Sequence, residues 1–457
     1  MEYIPRSYAP AVVEFMLKTP RCNIWLDPGL GKTGISLCYL DLLWLAGSNK
    51  FPCLVVAPKR VARSVWSDEI DKFSRFHNLT IQKMIGDPET RLAALNTPAD
   101  IYTINYENLP WLVDLCEDFW PFKIIISDES TALKGFRLRH GGKRAGALAK
   151  AAKYTARWIN LTGSPSPNGL IDLWGQCWFI DMGQRLGTSF SDFKKRWFDE
   201  DKYAHSITPK SFAETQITEL IADVTYSLRA DEVFDLEPIL HNPIYVELPP
   251  KARALYDQME NEMCIAFGDG EEVEAKTAAD LSLKTLQIAS GALYRPETTE
   301  WETIHDEKIM AAQELLDELS GNPLLIAYHF QHDVKRLLAA IPGSRVLKSK
   351  QDEDDWNAGK IRCGIMHPAS GGHGLNLQDG GHNIAFFSHW WNLEHFQQVI
   401  ERIGPVRQMQ SGYQRRVMVH YLIARGTTDE TVMRRRETKR SVQDLVRERV
   451  ENIRAFT

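Results

Sequence analysis

The sequence predicts an α/β protein of two lobes, each built on a parallel sheet, with mainly helical insertions between them. Three observations carry this expectation. Short runs rich in valine and isoleucine recur along the chain, helical patterns separate them, and the first run passes through a glycine loop directly into a helix. Runs that are apolar at consecutive positions mark strands buried on both faces, and parallel strands need helical crossovers to return the chain.

The first element is the stretch WLDPGLGKTGISL, Trp25 to Leu37. Ile24 to Leu26 reads as a strand end, Gly29, Gly31 and Gly34 bracket Lys32 and Thr33, and an apolar helical pattern continues to about Leu45. Each residue type has a task in holding phosphate. Glycines let backbone N–H groups close around the oxygens, the helix N-terminus favours negative charge, a lysine reaches the outer phosphates, and a threonine hydroxyl ligates Mg²⁺. The spacing departs from the strict G-x-x-x-x-G-K-[ST] pattern, because Leu26 stands at the first glycine position. An ordinary glycine-rich turn is the alternative, and the rest of the chain decides between them.

The next strands are expected at 52–58, 123–127 and 157–161 in the first lobe, and at 323–330, 361–366, 382–387 and 417–423 in the second. Asp128 and Glu129 follow the strand 123–127 directly, at the carboxyl end where open α/β sheets place ligands. Of two such carboxylates, one can hold the Mg²⁺ that bridges outer phosphates while the other orients and deprotonates water. An acidic pair there more often caps a helix, but the glycine loop about a hundred residues upstream reverses the balance. The strand 157–161 runs into LTGSPSPNGLIDLW, whose Thr162, Gly163 and Ser164 suit a relay from a hydrolysis site or, more simply, a turn.

Between residues 132 and 153 lie Lys134, Arg137, Arg139, Lys143, Arg144, Lys150 and Lys153 with no acidic residue among them. Cations this dense suit phosphate contact, the plainer reading being a solvated face. From about Asn168 to Ser290 the pattern turns mostly helical and rich in aromatics, including Trp174, Trp178, Phe179, Phe190, Phe193, Trp197 and Phe198. The expected division is therefore residues 1–167 for the first lobe, 168–300 for helical insertions and connection, and 301–457 for the second lobe with a C-terminal helix.

Composition excludes several classes. The 457 residues, 44 % hydrophobic and 25 % charged, suit a globular chain of two or three domains rather than a disordered or fibrous one. No leader pattern and no apolar run of about 18 residues is visible, so an unanchored cytoplasmic chain is expected. Seven scattered cysteines without C-x-x-C spacing point to reduced thiols rather than disulfides or zinc. A formal net charge of −6 confines any nucleic-acid contact to local patches.

GLGKT (29–33), DESTALK (128–134), LTGSPSPNGLIDLW (161–174), SGGHGLNL (370–377) and QVIERIGPVRQ (398–408) follow the order and spacing of motifs I, II, III, V and VI of superfamily 2 helicases. The chain resembles the Swi/Snf-type DNA translocases among them, and most of all the compact members encoded by bacteriophages. That resemblance implies two RecA-like lobes, ATP and Mg²⁺ as cofactors, and duplex or branched DNA held through its backbone. Carried over by position, Lys32 and Thr33 hold phosphate and Mg²⁺, with Gly29, Gly31 and Gly374 among the nucleotide contacts. Asp128 and Glu129 hold the metal and activate water, and Gln398 and Arg402 reach the nucleotide from the second lobe. Thr162 and Ser164 couple hydrolysis to DNA. Pro58, Lys59, Arg60, Thr103, Ser370, Gly371 and Asn376 resemble backbone-tracking contacts, joined by Arg137, Arg139, Lys143 and Arg144 of the basic run.

The departures from the family pattern are specific. Arg6 and Tyr8 stand where a Tyr-Gln pair usually recognises adenine, with Ala9 in the glutamine's place; Ser130 and Thr131 replace the usual Ala-His of motif II. Pro405 occupies the second arginine position of motif VI, and Arg407 is the expected substitute. Trp390 and Trp391 are expected to pack rather than to stack on bases. The function implied is an ATP-dependent double-stranded DNA translocase in replication, recombination or repair, acting by fork remodelling or strand annealing. A strand-separating helicase and a nucleotide-gated protein-binding switch with slow ATPase are the alternatives. A monomer is expected, with replication or recombination proteins as further partners.

Overall fold

A computed structural model of the protein describes residues 1–116, 119–137, 143–201, 206–266, 272–368 and 375–455. It divides into two compact units, Met1–Asp235 with Lys439–Thr457, and Leu236–Thr438. The first unit contains strands β1 (Arg21–Leu26), β2 (Cys53–Ala57), β3 (Ile81–Met84), β4 (Ile101–Asn105), β5 (Ile124–Asp128) and β6 (Arg157–Thr162). It also contains a hairpin of β7 (Phe198–Asp201) and β8 (Ser206–Pro209), and then β9 (Thr225–Leu228). Seven of these form one sheet in the order β3-β4-β2-β5-β6-β1-β9. Every pairing in it is parallel, so all carboxyl ends lie along one edge.

The register of that sheet positions the site. Asp128 of β5 lies opposite Leu161 of β6, and Trp25 of β1 lies opposite Thr162. Strand-end chemistry that is a hundred residues apart in sequence is thereby set side by side. The central strands are buried along their whole length, as their continuous apolar runs demand.

The second unit holds β10 (Leu240–Val246), the pairs β11 (Cys264–Ala266) with β12 (Glu272–Glu274) and β13 (Ala292–Tyr294) with β14 (Trp301–Thr303), and then β15 (Leu324–Ala327). Strands β16 (Arg345–Val346), β17 (Cys363–Met366), β18 (Asn383–Phe386) and β19 (Met418–Ala424) complete it. Its six-stranded sheet runs β10-β19-β18-β15-β17-β16, again with parallel pairings throughout. The α/β class with two parallel sheets is as the sequence predicts.

The stretch 168–300 differs from its expected description. It supplies β9 to the first sheet and β10 to the second, and the boundaries drawn at 167/168 and 300/301 fall inside the two units. Both strands sit at sheet edges. One face of β9 is only partly covered, and β10 is mostly exposed and carries Pro243, so neither shows the apolar run of a central strand. The aromatics of this stretch are first-unit core. Trp158 stacks on Phe179 at 4.7 Å and Phe136 on Trp174 at 5.7 Å, while Phe193 and Trp197 are buried in the same cluster.

The long helix Thr428–Ala455 begins in the second unit, and its residues from Lys439 belong to the first. Val446 and Val450, four apart and hence on one helix face, are buried in the first unit's core. The seven cysteines are free thiols, five of them buried. Among the described residues no helix is long and apolar enough to cross a membrane.

Candidate nucleotide-binding and catalytic site

The phosphate loop leaves β1 at Leu26. Gly29 and Gly31 adopt φ of 82° and 77°, left-handed conformations that cost an L side chain about 1–2 kcal/mol and glycine almost nothing. Gly31 caps the helix Lys32–Leu45, so Lys32 and Thr33 are its first residues and the free N–H groups of its first turn face the loop. Lys32 Nζ donates to the Leu26 carbonyl at 2.9 Å, folding the ammonium back across the loop. Gly163 closes the neighbouring side: a Cβ there would come within 2.9 Å of the Pro28 ring, so only glycine lets the end of β6 approach so closely.

Arg6 and Tyr8 do gather beside this loop. The Tyr8 hydroxyl donates to the Leu30 carbonyl at 3.0 Å, and the Arg6 guanidinium lies 5.2 Å from the centre of the Phe234 ring, against whose edge Tyr8 also packs. Burial raises the Tyr8 phenol, with the nearby Arg6 charge opposing, so it stays a neutral donor.

Asp128 is 7 % exposed and accepts from the Trp66 indole N–H at 3.1 Å. Burial raises its pKa; the Lys32 charge, the Trp66 hydrogen bond and the Glu129 N–H pull in the opposite direction. Glu129 stands at φ 55° and ψ 57°, a left-handed conformation rarely taken by a non-glycine residue and one that turns its side chain away from the direction a continuing strand would give. The Tyr106 hydroxyl holds this turn, contacting Ser127 Oγ at 2.8 Å and donating to the Asp128 carbonyl at 2.9 Å. Hard oxygens from Thr33 and Asp128 are the donor set that suits Mg²⁺, which is usually bound by one or two carboxylates with phosphate and water completing its shell.

The replacement of motif II's last residues has a visible counterpart. Ser130 Oγ donates to Gln176 Oε1 at 2.9 Å, and Gln176 Nε2 donates to the Pro165 carbonyl at 2.7 Å. This buried glutamine thus links the segment after Asp128 to the one after Thr162, whose own hydroxyl accepts from the Ser164 N–H at 3.0 Å.

The candidate DNA contacts divide. Pro58 and Arg60 are half-buried and Lys59 is exposed, at the start of the π-helical turn Val61–Val65. Thr103 is fully buried and its hydroxyl donates to the Ala62 carbonyl at 2.6 Å, so it props that turn from beneath rather than facing a ligand. Arg137 is half-buried and partly engaged. It lies 3.2 Å from the centre of the Phe190 ring and donates to the carbonyls of Lys134 and Phe136, burial lowering its pKa. The Thr103 hydroxyl is therefore spent in the interior, whereas Arg137 is half-buried and both of its carbonyl contacts use Nη1. Lys143 and Arg144 open the helix Lys143–Ala152. Arg139, Ser370, Gly371 and Gly374 lie outside the described residues.

In the second unit, Gln398 and Arg402 are buried at the end of the helix Leu393–Glu401. Arg402 donates to the Leu375 carbonyl at 3.3 Å. Pro405 begins a new helix, Pro405–Gln410, and its third residue, Arg407, donates to the Asn376 side chain. Trp390 is core, and Trp391 donates to Ser282 Oγ at 2.9 Å, as packing residues do. Sequence reasoning missed Trp66, Tyr106, Gln176 and Arg447. Each is defined by the strand end it touches.

Lys32→Ala is expected to lower ATP turnover by about 10²–10³-fold, the usual cost of removing one preorganised charge from a developing oxyanion. Steady-state ATPase on the folded variant checks this, and near-parental turnover would overturn the phosphate-loop assignment.

The model of the SNF2-related domain family matches residues 11–288. Protein p41 of Acyrthosiphon pisum secondary endosymbiont phage 1 is 50 % identical over 453 residues, covering 98 % of each chain. YwqA of Bacillus subtilis (strain 168), provisionally named an ATP-dependent helicase/translocase, is 25 % identical over 92 % of this chain and 46 % of its own length. The human DNA annealing helicase and endonuclease ZRANB3 is 22 % identical over 92 % of this chain and 38 % of its own. The chain thus spans the length of its phage relative but less than half of the other two.

Proposed function

Because the chain belongs to the SNF2-related domain family, and is an ATP-hydrolysing enzyme of the helicase type with a phage relative of matching length, we propose that it is a double-stranded DNA translocase. In this reading it serves replication, recombination or repair by remodelling forks or annealing strands. One observation supports the chemistry above others: the parallel register that sets Asp128, Thr162 and the Leu26–Lys32 loop on adjacent strand ends.

In this reading Lys32 leaves the Leu26 carbonyl for the outer phosphates of ATP, and the N–H groups between Gly29 and Thr33 line the chain of phosphate oxygens. Thr33 and Asp128 would hold Mg²⁺, which would supply charge to offset that of the transferred group. Glu129 takes the proton of the attacking water, and Gln398 and Arg402 act on the charge of the nucleotide. The Ser130–Gln176–Pro165 link relays the state of the Asp128 turn to the segment beyond Thr162. Lys59, Arg60 and Asn376 serve the DNA backbone, so binding responds to salt rather than to base sequence. Kinship to an annealing helicase supports strand annealing as one outcome of such movement.

ATPase activity measured without DNA, with single strands and with duplex tests the reading. Duplex is expected to stimulate turnover most. Equal rates in all three would leave a nucleotide-gated switch, and displacement of a labelled strand from a partial duplex would convert the translocase into a helicase.

A further inference from the structure

The C-terminal helix brings an arginine to the root of the phosphate loop. Arg447 is buried, and its guanidinium is spent entirely on the carboxyl edge of the first sheet. It pairs with Asp27, the residue between β1 and the loop, and donates to the carbonyls of Leu228 at 2.9 Å, Trp25 at 3.4 Å and Gly163 at 3.4 Å. Its Nε adds Ser227 Oγ at 3.3 Å. These partners lie at the ends of β1, β6 and β9. The other carboxylate oxygen of Asp27 accepts from the Ala230 N–H at 2.8 Å, and its carbonyl accepts from the Leu30 N–H at 3.2 Å. The helix has other holds on the sheet: Val446 and Val450 are buried in the core on either side of the arginine, and Glu451 accepts from Ser227 at 2.5 Å.

We infer that Arg447 is a positioning residue for nucleotide binding, clamping Asp27 so that the glycine loop is held ready for phosphate. The inference rests on residues 29–33 being the nucleotide site. A loop with two left-handed glycines has many alternative conformations, and fixing its first residue at two points removes them before ATP arrives. Loss of the clamp therefore weakens ATP binding more than it slows the chemical step, since the Arg447 guanidinium is taken up by oxygens of the protein itself.

The test compares Arg447→Met, Arg447→Lys, Asp27→Asn and the double variant Arg447→Met/Asp27→Asn in the full chain. Affinity for a fluorescent ATP analogue is measured beside KM and kcat at saturating duplex DNA. Arg447→Met and Asp27→Asn are each expected to weaken nucleotide affinity and raise KM about tenfold, the equivalent of one charge-assisted hydrogen bond. In both, kcat is expected to stay within about threefold. The lysine variant recovers part of the loss, and the double variant is little worse than either single one because both act through one contact. Unchanged affinity in a folded variant, a fall confined to kcat, or independent multiplying effects would overturn the inference. Should Arg447→Met fail to fold, Asp27→Asn reads the same contact alone. Lys32→Ala run in parallel separates the two readings: if it binds and hydrolyses ATP normally, both fall, whereas a dead Lys32→Ala beside unaffected Arg447 and Asp27 variants sinks only this one.

Discussion

Arg402→Ala is expected to reduce DNA-stimulated ATP turnover by about 10³ to 10⁵-fold while leaving ATP binding measurable, the range found when an arginine that stabilises transition-state charge is removed. Arg402 is 6 % exposed at the C-terminal end of the helix Leu393–Glu401 and is held by the Leu375 carbonyl, so its direction is set before any ligand arrives. Arg407 is the partner to compare. Proline at 405 cannot donate to a phosphate, but as the first residue of a new helix it turns the chain and lifts Arg407 onto Asn376. Both arginines thus end at adjacent residues, Leu375 and Asn376, of the segment the sequence likens to motif V. Arg407→Ala should cost more than about a hundredfold if it shares the role. A mild loss would leave Arg402 working alone and Arg407 as a support for Asn376. Single-turnover kinetics with ATP binding followed separately distinguishes lost chemistry from lost affinity.

Glu129→Gln is expected to lower turnover by about 10²–10⁴-fold, the usual contribution of a general base, while ATP and duplex DNA remain bound. The substitution keeps the shape of the side chain and the left-handed turn at residue 129, and removes only the capacity to take a proton. Asp128, one residue earlier, is buried against Trp66 and close to the Lys32 charge, which suits a metal ligand better than a base. A trapped complex, seen as slow release of labelled ATP, is the expected signature. Parental turnover in Glu129→Gln would move the water-activating role to another residue.

The parallel α/β architecture, the loop at Gly29 to Thr33 and the acidic pair at 128 and 129 were legible in the sequence because each depends on neighbours in the chain. A strand buried on both faces is largely apolar, a left-handed turn costs glycine least, and a helix that starts at Lys32 needs only the residues that follow it. The edge strands β9 and β10 were not legible, since a half-exposed strand carries no continuous apolar run. Thr103 shows the same limit for side chains. Its residue type suits phosphate contact, but burial against Ala62 commits its one side-chain donor to the interior. Arg447 lies more than four hundred residues from Asp27, within a run of charges that resembles any solvated helix face, and its place at the root of the loop exists only once the C-terminal helix is packed. Local chain chemistry therefore determined the elements and the reactive residue types, while the long-range register of β5, β6 and β1 and the docking of Val446 and Val450 decided which of them meet. Pairing and burial are set by contacts between distant segments, which no local spacing records.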